Sequence, residues 1–123
     1  MTKDKAVHAF FNSFGLDAYP TSNVPDDVVF HYATYELVTG AWDSAPVGMV
    51  LNLWYYTTSE AVPNAKVQEI EKTIGIGGVM VVCDEGVIWF KKGSPWCQNL
   101  KDENDPTIKR RYLNITAEYM TLS

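Results

Sequence analysis

The stretch VGMVLNLWYYT, residues 47–57, constrains this chain more than any other. Side chains of a strand alternate between two faces, which sets Val47, Met49, Leu51, Leu53 and Tyr55 on one and Val50, Asn52, Trp54 and Tyr56 on the other. Both faces are mostly apolar. The second is therefore expected to pack on a helix or a partner rather than meet bulk water. Its antiparallel neighbour is VVFHYATYELV, residues 28–38, rich in β-branched and aromatic residues and joined to it through the turn TGAWDSAP.

A second hairpin follows from VMVVC and VIWFK, with Gly86 supplying the turn. In KRRYLNITAEYMTL, Leu113, Ile115, Ala117 and Tyr119 alternate with Asn114, Thr116 and Glu118, the pattern of a half-exposed antiparallel strand. Helical spacing occurs twice. Thr2 can cap a helix whose Val7, Phe10, Phe11 and Phe14 form one stripe ending at Gly15. In SEAVPNAKVQEIEKTIG, Ser59 is the candidate cap, Pro63 lies near the start, Val67, Ile70 and Ile74 form the stripe and Gly75 is the stop. Residues 16–27, with two prolines and a polar cluster, read as a loop. The resulting order, α-β-β-α-β-β-β, implies an α+β fold with helices packed on one face of a mainly antiparallel β-sheet, in a single domain spanning 1–123.

One segment resists this scheme. In KKGSPWCQNLKDENDPTIKRR, residues 91–111, no helical or strand period is visible between Gly93 and Pro106. Structureless loops longer than about 12 to 15 residues are uncommon unless they bind something or are disordered. Against a chain total of −5, residues 91–111 carry six basic and three acidic side chains, or +3, which leaves −8 elsewhere. An acidic chain lacks the field that general nucleic-acid binding requires, so no sequence-specific nucleic-acid partner is expected.

No apolar run approaches the roughly 20 residues of a membrane span, and MTKDKAVHAFFNSFG lacks the features of a signal peptide, which predicts a soluble protein with no membrane partner. Catalytic groups are scarce. His8 and His31 fall in the first helix and first strand, and Cys83 and Cys97 lack CxxC spacing and read as reduced thiols. IGIGG follows a helix, the reverse of the order a phosphate loop needs. DENDP lacks calcium-loop spacing and reads as a solvated turn, and the Asn114 sequon lies inside a strand. No catalytic residue, cofactor or metal is expected. What stands out is sixteen aromatic residues, with Trp42 in a hairpin turn and Trp96 in the long loop, and loop Trp residues tend to anchor protein interfaces.

The segments NLWYYTTSEAVPNAKVQEIEKTIGIGG, VVCDEGVIWFKKGSPWCQNL and IKRRYLNITAEY resemble the tail terminator, or tail-completion, family of long-tailed phages and prophages of Gram-positive bacteria. The resemblance implies a non-enzymatic virion protein of the tail or neck, assembled in the host cytoplasm. It would form a six-fold ring with copies of itself, cap the tail-tube protein and meet a head-connector or neck protein. On that reading residues 93–106 reach a neighbouring subunit or the tail tube, with Trp96 as the apolar anchor and Lys91, Lys92, Arg110 and Arg111 meeting acidic partners. Other neck or head-completion proteins, and small phage-encoded protein-binding regulators, share the same length and chemistry.

Overall fold

Residues 1–39 and 46–121 are described by a computed structural model. They form helices α1 (Lys3–Phe11) and α2 (Ala61–Ile74) and strands β1 (Asp17–Pro20), β2 (Tyr32–Thr39), β3 (Val47–Tyr56), β4 (Val79–Cys83), β5 (Gly86–Lys101) and β6 (Ile108–Thr121). The strands make one curled, six-stranded sheet in the order β1-β2-β3-β6-β5-β4. All neighbours are antiparallel except β1 and β2.

This corrects the expected α+β class and its order α-β-β-α-β-β-β. The chain is mostly strand, its sheet is mixed, and a strand precedes the first hairpin. The unforeseen β1 lies in the segment read as a loop. It is only four residues long, pairs Asp17–Pro20 with Tyr32–Tyr35, and ends in a proline, which an edge strand tolerates because its outward N–H needs no partner. Conversely β2 begins at Tyr32 rather than Val28.

The two-faced strand is explained by position: β3 lies between β2 and β6 near the sheet's middle. On its first face, Val47, Met49, Leu51, Leu53 and Tyr55 join Tyr35, Phe90, Leu113, Ile115 and both helical stripes in one core. Phe10 of α1 stacks on Phe90 at 4.4 Å, and Phe11 lies 5.1 Å from Tyr35. Burial raises the Tyr55 phenol to about 12. Val50 and Asn52 are buried on the opposite face.

Thr2 caps α1, its hydroxyl accepting the Lys5 N–H at 3.2 Å. The N-cap of α2 is Glu60 rather than Ser59 and makes no side-chain cap bond; Ser59, one residue earlier, accepts the Ala61 N–H at 3.2 Å, and the helix starts at Ala61, two residues before Pro63. At the β4–β5 turn the positive φ belongs to Glu85. Gly86 is needed for a different reason: a Cβ there would lie 2.2 Å from the Met120 carbonyl oxygen on β6.

Candidate functional site

Most of residues 93–106 is strand. β5 continues to Lys101, and its second half pairs Cys97–Lys101 with Leu113–Lys109 of β6. Between Lys92, paired with Ile115, and Cys97, paired with Leu113, β5 advances five residues while β6 advances two. Three extra residues bulge out there, and they are why no period is readable. The remaining turn covers residues 102–107. Its carboxylates cap backbone: Asp102 Oδ1 accepts the Asn104 and Asp105 N–H groups at 2.8 and 3.1 Å, and Asp105 Oδ1 accepts the Thr107 N–H at 3.0 Å.

The five residues singled out from the sequence do not form one patch. Lys92, Trp96 and Arg111 lie on the face that holds the core. Trp96 packs against that core and its indole N–H has no hydrogen-bond partner, while Lys92 Nζ reaches Glu71 Oε1 at 3.5 Å. Arg111 is 1 % exposed. Its guanidinium donates to Asn64 Oδ1 at 3.1 Å and to Glu60 Oε2 at 2.5 Å, so it fastens β6 to the start of α2. Lys109, also buried, donates to the Pro106 carbonyl at 2.7 Å and lies 3.3 Å from Glu60 Oε1. The hydrogen bond from Arg111 lowers the Glu60 carboxyl pKa most; desolvation opposes it, and the hydrogen bond from Lys109 and the two positive charges add to the lowering.

Lys91 and Arg110 lie on the opposite face. Lys91 Nζ stands 4.0 Å over the Trp89 ring, and Arg110 lies 5.2 Å from the Trp54 ring and 6.0 Å from Tyr112. Tyr32 stacks with Trp54 at 6.2 Å, and Phe30 connects Tyr32 to Tyr56 at 5.3 and 5.9 Å. Trp54 Nε1 donates to Thr34 Oγ1 at 3.0 Å, which fixes the indole flat in this row. Reading the sequence missed the row because its members come from three strands, although the second-face listing of Trp54 and Tyr56 was its one visible sign. Trp42 lies outside the described residues.

Two unlike apolar patches are exposed. Val29, Phe30 and Tyr56 are exposed near the start of β2 and the end of β3, with the Phe30 and Tyr56 rings 5.9 Å apart, whereas Ile76, Met80 and Val82 lie along and before β4, with Met80 58 % and Val82 71 % exposed. β6 and β5 separate β3 from β4. Strand β4 also closes that side of the sheet, so one row of its backbone groups faces outward.

A groove of about 500 Å³ opens where β1 ends, between α1 and β2. Val7, Pro20, Tyr35 and Met49 give it an apolar lining, Asp4 brings a carboxylate, and Glu36 lies at its rim with its side chain on the opposite face of β2. Tyr35 Oη and His8 Nδ1 share a hydrogen bond of 3.0 Å. Burial, then the Asp4 charge, raises the Tyr35 pKa.

Neither thiol is disulfide-bonded. Cys83 is buried, and burial pushes the Cys97 thiol up despite the opposing pull of Arg111, the wrong direction for a nucleophile. Among the described residues no three His, Cys, Asp or Glu side chains are grouped to hold a metal, and no helix is long and apolar enough to cross a membrane. No protein-family model and no curated protein sequence matches the chain.

Proposed function

We propose that this chain is a structural subunit of a phage neck that works as tail terminators do, joining copies of itself into a ring that caps the tail tube and receives the head connector. The observation that carries the reading is the pair of unlike apolar patches, Val29-Phe30-Tyr56 and Ile76-Met80-Val82, separated by two strands of one sheet. A ring of identical subunits needs two different surfaces on each, because head-to-tail contacts are heterologous. Exposed apolar groups grouped in this way are typical of protein contacts rather than of free surface.

Strand β4 supports the same reading, since an outward-facing edge rich in valine accepts a further strand readily. The role is that of a non-enzymatic binding protein: the aromatic row and the edge present contact surface, and the residues that recognise partners are Lys91, Arg110 and the exposed aromatics rather than the buried Arg111.

Negative-stain microscopy of the protein mixed with its tail-tube protein tests the proposal. Capped tubes of limited length are the expected result, and substituting Val82→Lys should abolish capping while leaving the melting temperature unchanged. Tubes that grow unchecked beside a free monomer would overturn it in favour of a small regulator that binds another protein.

A further inference from the structure

The two edges of the sheet are finished differently, and the difference decides what can join it. At β1, Ala18 turns its backbone away from β2, and the Asn12 side chain meets both groups: Oδ1 accepts the Ala18 N–H at 3.0 Å, and Nδ2 donates to the Ala18 carbonyl at 3.2 Å. Pro20, the next residue in that row, has no N–H. A side-chain amide thus stands where a further strand would pair, and this edge is closed.

β4 has no such cover. Cys83 and Gly86 close a two-residue turn, so Cys83, Val81 and Val79 direct their backbone groups to β5, and Met80 and Val82 direct theirs outward. Asp84, next in the outward row, has its N–H taken by the Met1 carbonyl at 2.6 Å. The open groups are therefore the N–H and C=O of Met80 and Val82, and no described strand lies beside them. Val79–Cys83 holds no charge, proline or bulge, the devices that keep an edge solitary.

We propose that a second copy closes this edge, the two β4 strands pairing antiparallel about a two-fold axis at Val81. In that register Met80 of each copy faces Val82 of the other, and the four open groups of each chain are all used. With β1 closed, β4 is the one edge left among the described strands through which copies can extend their sheets, so the pairing stops at two. Charge fits the same register, which sets the β4–β5 turn of one copy beside Gly77 and Gly78 of the other. The Asp84 carboxylate holds the Met1 amine, which leaves Glu85 as the unbalanced negative charge of that turn. Lys91 reaches over Gly78, its Cγ 2.7 Å from where a Cβ would stand, and neither Lys91 nor Glu85 has an ion-pair partner among the described residues. Opposite charges thus meet at both ends of the paired strands. The dimer does not rest on the ring reading. It covers Met80 and Val82, which the ring would use, so on that reading the tube must separate the two copies.

Sedimentation and amide exchange of the wild type test it directly. The protein should sediment as a dimer at high concentration and form no larger species. The Met80 and Val82 amides should exchange at least about tenfold more slowly in the dimer than in the dilute monomer. The Ala18 amide, bonded within its own chain, should not change with concentration. Val82→Pro removes an outward N–H that the monomer does not use, which an edge strand tolerates. It should weaken the dimer at least about tenfold, since symmetry removes two hydrogen bonds. Val82→Thr keeps the N–H and should still dimerise. Val81→Cys should oxidise to a disulfide joining the two copies at that position, because facing residues of a non-hydrogen-bonded pair stand about 4.5 Å apart at Cα. Neither the exchange nor the disulfide depends on the proline variant folding.

A wild type that stays monomeric at millimolar concentration overturns the proposal. So does a dimer that Val82→Pro leaves intact, or one in which Val81→Cys forms no such disulfide. Edge amides protected only after tail-tube protein is added overturn it too, and make a foreign strand the occupant. The two readings fail separately. Oxidised Val81→Cys should not cap tubes until it is reduced. Capping by a chain that never dimerises would remove this contact and leave the neck reading standing, and a dimer with these properties in a protein that ignores tubes would do the reverse.

Discussion

Arg111 and Glu60 form an ion pair across a steep gradient of exposure: the Arg111 side chain is 1 % exposed, the Glu60 side chain 58 %, and Nη2 lies 2.5 Å from Oε2. Lys109, with its own side chain 8 % exposed, shares the same carboxylate. Two buried cations therefore depend on one surface acid. Removing the partner of a buried charge is far more damaging than removing the charge itself.

Substituting Glu60→Gln should thus lower the melting temperature at pH 7 more than Glu69→Gln, which loses only an exposed pair with Lys66. Arg111→Met, which keeps the stem and deletes the charge, should cost less than Glu60→Gln. The pH dependence has a definite sign. Arg111 and then Lys109 hold the Glu60 carboxyl below its ordinary value, so its contribution to stability is complete above about pH 4.3, the usual glutamate pKa, and disappears as pH falls through the lower folded-state value. Urea titrations between pH 7 and pH 3 should show a smaller acid decline in Glu60→Gln than in wild type. Superimposable profiles would exclude the linkage.

Trp96 gives a second prediction. It packs against the core, and its indole N–H is buried without a partner. Trp96→Phe keeps most of the ring and removes the unsatisfied donor, so it should leave stability within about 1 kcal/mol of wild type or raise it. Trp96→Ala should cost about 2 kcal/mol or more, as truncations of packed aromatics do. Equilibrium urea unfolding distinguishes the two substitutions. Equal losses would mean that the indole N–H is satisfied and that the donor matters as much as the ring. The expected cost of the alanine variant also means that it cannot probe an interface alone, since it perturbs the subunit first.

How much of this was legible in the sequence depends on whether side chains kept a period. Val7, Phe10, Phe11 and Phe14 keep helical spacing and all four are buried, and Leu113, Ile115 and Ala117 alternate and are buried too. β1 was invisible because a four-residue edge strand ending in proline has no room for alternation. The second half of β5 was hidden by its bulge, which sets Lys92 and Cys97 on the same face although five positions separate them. Arg111 was misjudged by its charge. Carrying the Leu113 period backwards places Arg111 and Lys109 on the buried face, a signal present in the sequence but opposed by the usual exposure of basic residues. The aromatic row and the groove at the end of β1 join segments distant in sequence, and apart from Trp54 and Tyr56 on one face of β3 no local pattern could reveal them.

Gly86 and Gly77 form the third prediction, a matched pair. At Gly86 a Cβ would stand 2.2 Å from the Met120 carbonyl oxygen and 3.0 Å from the Tyr119 ring, so β5 and β6 would have to move apart where they pair at Thr121. At Gly77 a Cβ meets nothing within 4 Å. Gly86→Ala should cost about 2 kcal/mol, in the range of overpacked sites, because the obstacle is backbone and cannot rotate away. Gly77→Ala should be neutral or stabilising by about 0.5 kcal/mol, through the reduced freedom of the unfolded chain. Urea midpoints of the two variants, measured together, check this directly. A Gly86→Ala midpoint equal to that of Gly77→Ala would show that the end of the β5–β6 ladder yields freely, and that the β4–β5 turn is not held against β6 as tightly as these distances require.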